Sequence, residues 1–411
     1  MSDDRDTSPL ATGTFVTLSR IRTYCALLLL AYGVAVASLL LSADGLIDSS
    51  GRPLGTDFSN VWSAGQMALR GDAVEAFDPA PHYREQQAIF DDPEVPFYGW
   101  HYPPFFLGVA ALLALIPYLP ALLIWQISTG AAYVAMIRLI SPAPILLLAA
   151  LAYPAVFINI THGQNGLLTA ALLGAGLMLL DRRPWLAGIL IGLLAYKPHF
   201  GFLIPLVLLV TLRWRPILSA SATVLTMAAG ATVIFGFGVW EAFIEHADFT
   251  STVILEAGAT GWEKIHSIFS IARSLGAPVG VAYALQALLA AFLAIAMVWL
   301  WRKSDVDLGI KAAGLIAASV IVTPYALDYD MMALAPALAL LALEGVKNGF
   351  APYEKSALAF AWLAPLFSRT VADWIIVHPA LAGAFLVFAL ALARARSENT
   401  YGLIGPEHQR A

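Results

Sequence analysis

Residues 139–180, LISPAPILLLAALAYPAVFINITHGQNGLLTAALLGAGLMLL, contain no Asp, Glu, Lys or Arg. An α-helix needs only ~20 apolar residues to cross the ~30 Å of hydrocarbon in a bilayer. Further charge-free runs occupy 24–43, 102–137, 216–240 and 274–301. A membrane β-barrel would read as segments of about ten residues that alternate apolar and polar. These runs are apolar on every face, and a chain without water to satisfy its backbone must then be helical. Composition points the same way: 59% of the 411 residues are hydrophobic and 12% charged, against about 25% charged in an average soluble domain. The expected fold is an all-α polytopic membrane protein of about eleven to thirteen transmembrane helices, judged by span length.

The net charge of −5 supplies no basic surface, so nucleic acid is not an expected partner. The lone cysteine, Cys25, lies within the first apolar run, which excludes a disulfide framework and a Cys-based metal site. Arg20 and Arg22 before that run imitate a secretion signal. The run is long enough to span, and we read it as an uncleaved anchor.

The longest polar interruption, from Asp44 to His101, holds ten acidic residues against Arg52, Arg70 and Arg84. A loop so poor in Lys and Arg belongs outside, and the basic start of the chain in the cytoplasm. Arg182 and Arg183, Arg213 and Arg215, Arg302 and Lys303, Lys347 and Lys355, and Arg394 and Arg396 then form a consistent set of cytoplasmic turns. Outward segments fall at 197–199, 241–273, 325–330 and Asp373. If both Pro103–Pro117 and Pro120–Ile137 crossed, every later assignment would invert. One short, broken or re-entrant helix is therefore expected between Pro103 and Leu180, where Pro117, Pro120, Pro142, Pro144 and Pro154 offer break points. The expected organisation is a cytoplasmic tail at 1–23, one transmembrane domain at 24–394 with an extracytoplasmic loop at 44–102, and a cytoplasmic tail at 395–411. The expected location is the bacterial inner (plasma) membrane.

Within the loop, residues 58–70 read as a helix with Asp57 as an acidic N-cap and Gly71 as its stop. Phe58, Val61, Trp62, Gly65 and Leu69 share one face, which suits a helix lying along the membrane surface. A second short helix is expected at Pro81–Phe90. The loop ends in Phe97-Tyr98-Gly99-Trp100-His101-Tyr102-Pro103-Pro104, an aromatic cluster suited to the water–lipid boundary.

An anchor, an outward loop with Asp57-Phe58 opening a helix, and Tyr102-Pro103-Pro104 at the next span are followed by His162-Gly163-Gln164-Asn165-Gly166 and Tyr196-Lys197-Pro198-His199. Then come His266-Ser267, Arg273-Ser274-Leu275-Gly276, Thr323-Pro324-Tyr325, Asp328 and Asp330. In this order and spacing, over most of the chain, the sequence resembles the polyprenol-phosphate-sugar glycosyltransferases of the GT-C fold. It is most similar to glycosyltransferase family 87, whose characterised members are mannosyltransferases. The resemblance implies a GT-C-like bundle that transfers a hexose (mannose-like) or a pentose, with inversion, from a polyprenyl-phosphate donor. The acceptor would be an extracytoplasmic glycan, glycolipid or protein. The resemblance also implies that Asp57 is the catalytic base.

The chemistry is compatible with a single carboxylate. Phosphate is a good leaving group, whereas the attacking hydroxyl must lose a proton. The residue type alone favours N-capping, since Asp is a preferred cap; it is the resemblance that turns the reading to catalysis, and both roles could hold. Lys197 lies between two short apolar runs, where charge is costly and usually functional. It would hold the donor phosphate, or else snorkel to headgroups. His266 and Arg273 are candidates for the phosphate or the sugar, or are solvated loop residues. His101 and Tyr102 either face the site or are interfacial side chains. Gln164 and Asn165 either bond sugar hydroxyls or shape a helix turn. No His-Glu-x-x-His and no His/Cys cluster at ligand spacing is present, so no metal or other cofactor is indicated.

The competing class is a secondary transporter or flippase, in which broken helices bind a polar substrate near the midplane. Against it, no internal hydropathy repeat is evident and polar residues concentrate in one loop. A structural membrane protein would need neither Asp57 nor Lys197.

Overall fold

The computed structural model describes residues 8–401, with side chains described up to residue 396. The outer parts of the tails expected at 1–23 and 395–411 lie outside the described residues. Among the described residues every regular element is a helix, and β-pairing is confined to isolated bridges such as Ile265 with Leu327.

Six helices are long and apolar enough to cross a membrane: Leu18–Leu41, Tyr118–Ile140, Trp214–Phe235, Val279–Arg302, Asp328–Asn348 and a last one covering Pro379–Arg396. Pro144–Leu151 and Pro154–His162 form an apolar pair bent by 50°, which makes a seventh when the two are counted as one span. Pro154 causes the bend, because its missing N–H and its ring oblige the preceding helix to stop. Four shorter apolar helices, Gly166–Met178, Pro184–Tyr196, Pro198–Val210 and Leu308–Ile321, complete the bundle. The chain is a multi-pass helical membrane protein.

The basic turns gather on one face. Arg213 pairs with Asp181 at 2.6 Å and lies over the Trp301 ring. Lys303 and Arg396 both lie over Trp299. Arg394 bonds Glu354 and the Gly349 carbonyl, while the N-terminal segment joins the same end through Tyr353 N–H donating to Ala11 O at 2.8 Å. The acidic loop covers the opposite face.

The expected non-crossing helix is Phe106–Ala114. Its nine residues reach only about 14 Å at 1.5 Å each. It packs instead on the loop helix Phe58–Arg70: Trp62 Nε1 donates to Ile116 O at 2.9 Å and Gln66 Nε2 to Ala114 O at 2.7 Å. The helices touch so closely that a Cβ on Gly65 would sit 2.2 Å from the Ala110 carbonyl oxygen.

This contact corrects the reading of Phe58–Arg70 as a helix whose apolar stripe faces lipid. Phe58, Val61 and Gly65 are buried against protein, and Leu69 is the exposed member of the stripe. The second loop helix is Pro79–Phe90, capped by Asp78, which accepts from Ala80 N–H at 3.0 Å.

Candidate active site

Asp57 directly precedes the loop helix but does not cap it: its backbone is already helical and its side chain bonds none of the helix N–H groups. Tight turns accept those donors instead, Phe58 N–H to Gly55 O at 2.6 Å and Ser59 N–H to Thr56 O at 3.1 Å. The carboxylate is left for a different partner. Gln164 Nε2 donates to Asp57 Oδ2 at 3.0 Å.

The His162-Gly163-Gln164-Asn165-Gly166 segment explains how Gln164 arrives there. His162 ends the bent pair, and Gly163 takes a left-handed φ of +61° that turns the chain under the loop. A Cβ at Gly163 would lie 2.5 Å from Phe58 Cβ, and one at Gly166 would lie 2.7 Å from the Tyr329 carbonyl. Both glycines are thus required by close approach. Asn165 Nδ2 donates to Tyr102 Oη at 2.7 Å, and its carbonyl accepts from Tyr196 Oη at 3.2 Å. Gln164 and Asn165 thus shape the turn between the two helices, as one of their two readings expects, and at the same time bond Asp57 and Tyr102.

Asp57 is half-buried, between buried Gly55 and buried Phe58. Burial holds its carboxyl above the usual carboxylate range. His162, the Gln164 hydrogen bond and Lys197 oppose that shift, and Asp328 adds to it. A base with a raised pKa accepts a proton more readily near neutral pH.

Behind Asp57 lie two ion pairs. Lys197, 4% exposed, bonds Asp330 Oδ1 at 2.5 Å and lies over the Tyr329 ring. It neither snorkels nor presents a free ammonium. Asp330 Oδ2 also accepts from Leu327 N–H at 3.0 Å. Asp328 pairs with Arg369. Carboxylates two residues apart, as in Asp328-Tyr329-Asp330, can share a divalent ion, but here each goes to its own cation. Among the described residues no group of three His, Cys, Asp or Glu side chains is arranged to hold a metal.

The remaining candidates divide. His101 Nδ1 lies 2.9 Å from Thr250 Oγ1 and its ring stacks on His246. These residues, with Tyr325, line a recess of about 220 Å³. Burial first, then the neighbouring His246 and His82, lower His101 to about 3, so it is neutral at physiological pH.

His266 is fully buried, with its N–H on the Ala326 carbonyl and Nδ1 3.1 Å from His378 Nδ1. Burial and His378 lower it to about 3, so it is not a cation for phosphate. Its Nε2 has no partner among the described residues. Arg273 is a staple: Nε and Nη2 donate to the Glu256 carbonyl and Nη1 to the Ala277 carbonyl at 2.6 Å. Those bonds tie down the side chain that the sequence offers either as a candidate for the phosphate or the sugar or as a solvated loop residue. His162 heads the motif quoted from the sequence, but nothing there marks it out as a group acting on Asp57, and Arg369 follows an unremarkable apolar segment with no signal that singles it out.

No curated protein and no solved structure matches this chain. The family model described as glycosyltransferase family 87 matches residues 100–324. That span holds His101, Tyr102, Gln164, Asn165, Lys197, His266 and Arg273 but not Asp57, Asp328, Asp330 or Arg369, whose place in the site rests on geometry. The match covers more than half of the chain, and the protein belongs to glycosyltransferase family 87.

Proposed function

We propose that this glycosyltransferase takes a hexose, mannose-like, or a pentose from a polyprenyl-phosphate donor and transfers it with inversion to a glycan, glycolipid or protein on the extracytoplasmic side. Asp57 is the base. The observation that carries this reading is a carboxylate at a helix start that does no capping. It is partly exposed, oriented by Gln164 and held above its ordinary pKa.

In the step proposed, the acceptor hydroxyl oxygen attacks the anomeric carbon as its proton passes to Asp57. The bond from that carbon to the phosphate oxygen breaks, and its electron pair leaves with the phosphate. The phosphodiester monoanion becomes a monoester that carries one more negative charge. Positive groups aimed at that oxygen lower the barrier because they gain most as the charge develops. Lys197, sealed against Asp330, acts through its field rather than by contact. Gln164, Asn165 and Tyr102 lie where sugar hydroxyls would be read, and neutral His266 offers a hydrogen bond through Nε2. The acidic loop and this recess face outward and the arginine-bearing turns face the cytoplasm, in keeping with the charge rule for membrane loops. The chain forms one transmembrane domain at 24–394.

Purified protein given defined polyprenyl-phosphate sugars and a crude envelope acceptor tests the proposal. Transfer by wild type that disappears in Asp57→Asn, with donor binding retained, supports it. Substrate movement without transfer in either form would move the protein to the transporter class. Mass spectrometry of envelope glycans from a deletion strain identifies sugar and acceptor.

A further inference from the structure

Two cations stand behind Asp57, each paired with an aspartate, and they differ in access. The Lys197 side chain is 5% exposed and its ammonium is neutralised by Asp330, whereas the Arg369 side chain is 42% exposed. Arg369 meets Asp328 through one terminal nitrogen, Nη2. A guanidinium carries five N–H donors in a planar fork, so one carboxylate contact leaves the fork mostly unused. Arginine at such a place matches the paired oxygens of a phosphate better than a lysine would.

The setting of Arg369 indicates what kind of phosphate. The helix Ser368–Ile375 starts beside the ion pairs: Ser368 is buried and its Oγ accepts from Ala380 N–H at 3.1 Å. The far end of the same segment carries Trp374, 79% exposed, then Ile375 and Val377, also exposed. Aromatic and aliphatic side chains placed so belong at the water–lipid boundary. Arg369 therefore lies between the ion pairs and the exposed apolar end of its own helix, which suits an anion that arrives on a lipid tail.

We propose that Arg369 is the residue that binds the phosphate of an isoprenoid phosphate ester, and that Asp328 occupies its guanidinium until the lipid enters. The proposal rests on the donor assignment above and assigns the phosphate contact to a residue outside the matched family region. Entry of the phosphate shifts Arg369 from Asp328 to the lipid. Asp328 is thus a competitor for the same donors, and removing its charge should tighten binding. A purely structural ion pair predicts the reverse, since breaking it would loosen the site.

The test is direct binding of farnesyl phosphate to the detergent-purified full chain, with farnesol and inorganic phosphate as separate arms. Wild type should bind farnesyl phosphate and respond at least tenfold more weakly to the other two. Arg369→Gln should weaken farnesyl phosphate binding about ten- to hundredfold, with Arg369→Lys intermediate. Asp328→Asn should tighten it several-fold. Unchanged binding in Arg369→Gln, or weaker binding in a folded Asp328→Asn, overturns the proposal. Should Arg369→Gln fail to fold, Arg369→Lys and Asp328→Asn decide alone. Equal affinity for inorganic phosphate would overturn the lipid assignment. Wild type that binds farnesyl phosphate through Arg369 but transfers no sugar would sink the catalytic reading and leave this site standing. Sugar transfer and farnesyl phosphate binding both unaltered by Arg369→Gln would do the opposite.

Discussion

Asp57 receives its hydrogen bond from Gln164, 107 positions away in the chain, while the helix that Asp57 begins is left without a side-chain cap. The bond fixes the carboxylate rotamer and favours the ionised form. Gln164→Leu should keep the carboxyl but lose its orientation. We expect a roughly tenfold fall in kcat and an acidic limb of the pH–rate profile moved to higher pH. An unmoved limb would show that Gln164 does not tune Asp57.

Asp57→Asn should cost about 10²- to 10⁴-fold in kcat, the usual range for a general base. The same substitution should raise the thermal unfolding midpoint at neutral pH. The folded pKa of Asp57 lies above its unfolded value of about 3.9. Between the two values the folded state holds a proton that the unfolded state has released, so stability falls as pH rises through the folded pKa. The neutral amide removes that penalty. A lower midpoint in Asp57→Asn would contradict the burial cost.

Lys197 and Asp330 form a sealed pair. Lys197→Met alone strands a buried carboxylate, a change that typically costs about 3–5 kcal/mol. Lys197→Met with Asp330→Leu should recover most of that stability, and measured midpoints in detergent check it. Activity should not return with it, because the field at the recess is gone. Recovery of both would reduce the pair to a packing element.

Gly163→Ala places a Cβ where Phe58 Cβ and the Gly55 carbonyl already stand, at a φ of +61°. The left-handed backbone alone costs about 1–2 kcal/mol for an L residue. The expected result is lower stability together with lower kcat, since the turn that carries Gln164 must move off Asp57. Loss of stability without loss of kcat would show that the turn does not position Gln164.

Acid should loosen the loop before it protonates most carboxylates. Burial lowers His82 to about 4 and His101 to about 3, against an unfolded value of about 6.5. Below about pH 6.5 the unfolded chain takes up protons that the folded chain refuses, so stability is lost progressively from there down to the folded values. Midpoints measured from pH 7.5 to 4.5 should show the slope, and His82→Gln should flatten it.

The helical class and the multi-pass character were legible in the sequence because the bilayer leaves few alternatives: charge-free runs must be helical. The number of spans was less so: about eleven to thirteen are expected from the apolar runs, whereas six helices among the described residues are long and apolar enough to cross and four apolar helices are shorter, because prolines and glycines interrupt the runs. The motif residues Gln164, Asn165 and Tyr102 were legible as a group through family resemblance, though not their bonds to one another. Arg273 and Lys197 show where the reading ended. A cation in a sequence carries no sign of whether a carbonyl or a carboxylate already holds it: Arg273 is held by backbone carbonyls within 17 residues of it, at Glu256 and Ala277, and Lys197 by Asp330, 133 residues away. Arg369 was invisible for the same reason: it matters through Asp328, 41 residues earlier.

On the topology proposed above, the nine residues of Phe106–Ala114 are too few to cross the hydrocarbon, and the side taken by every later loop follows from that shortness. Were the segment lengthened to about twenty apolar residues it would span. Translocation of Arg182, Arg213 and Lys303 would then be demanded of the cell's insertion machinery. A stretch of chain too short to traverse the bilayer would in this way decide on which side each later loop emerges.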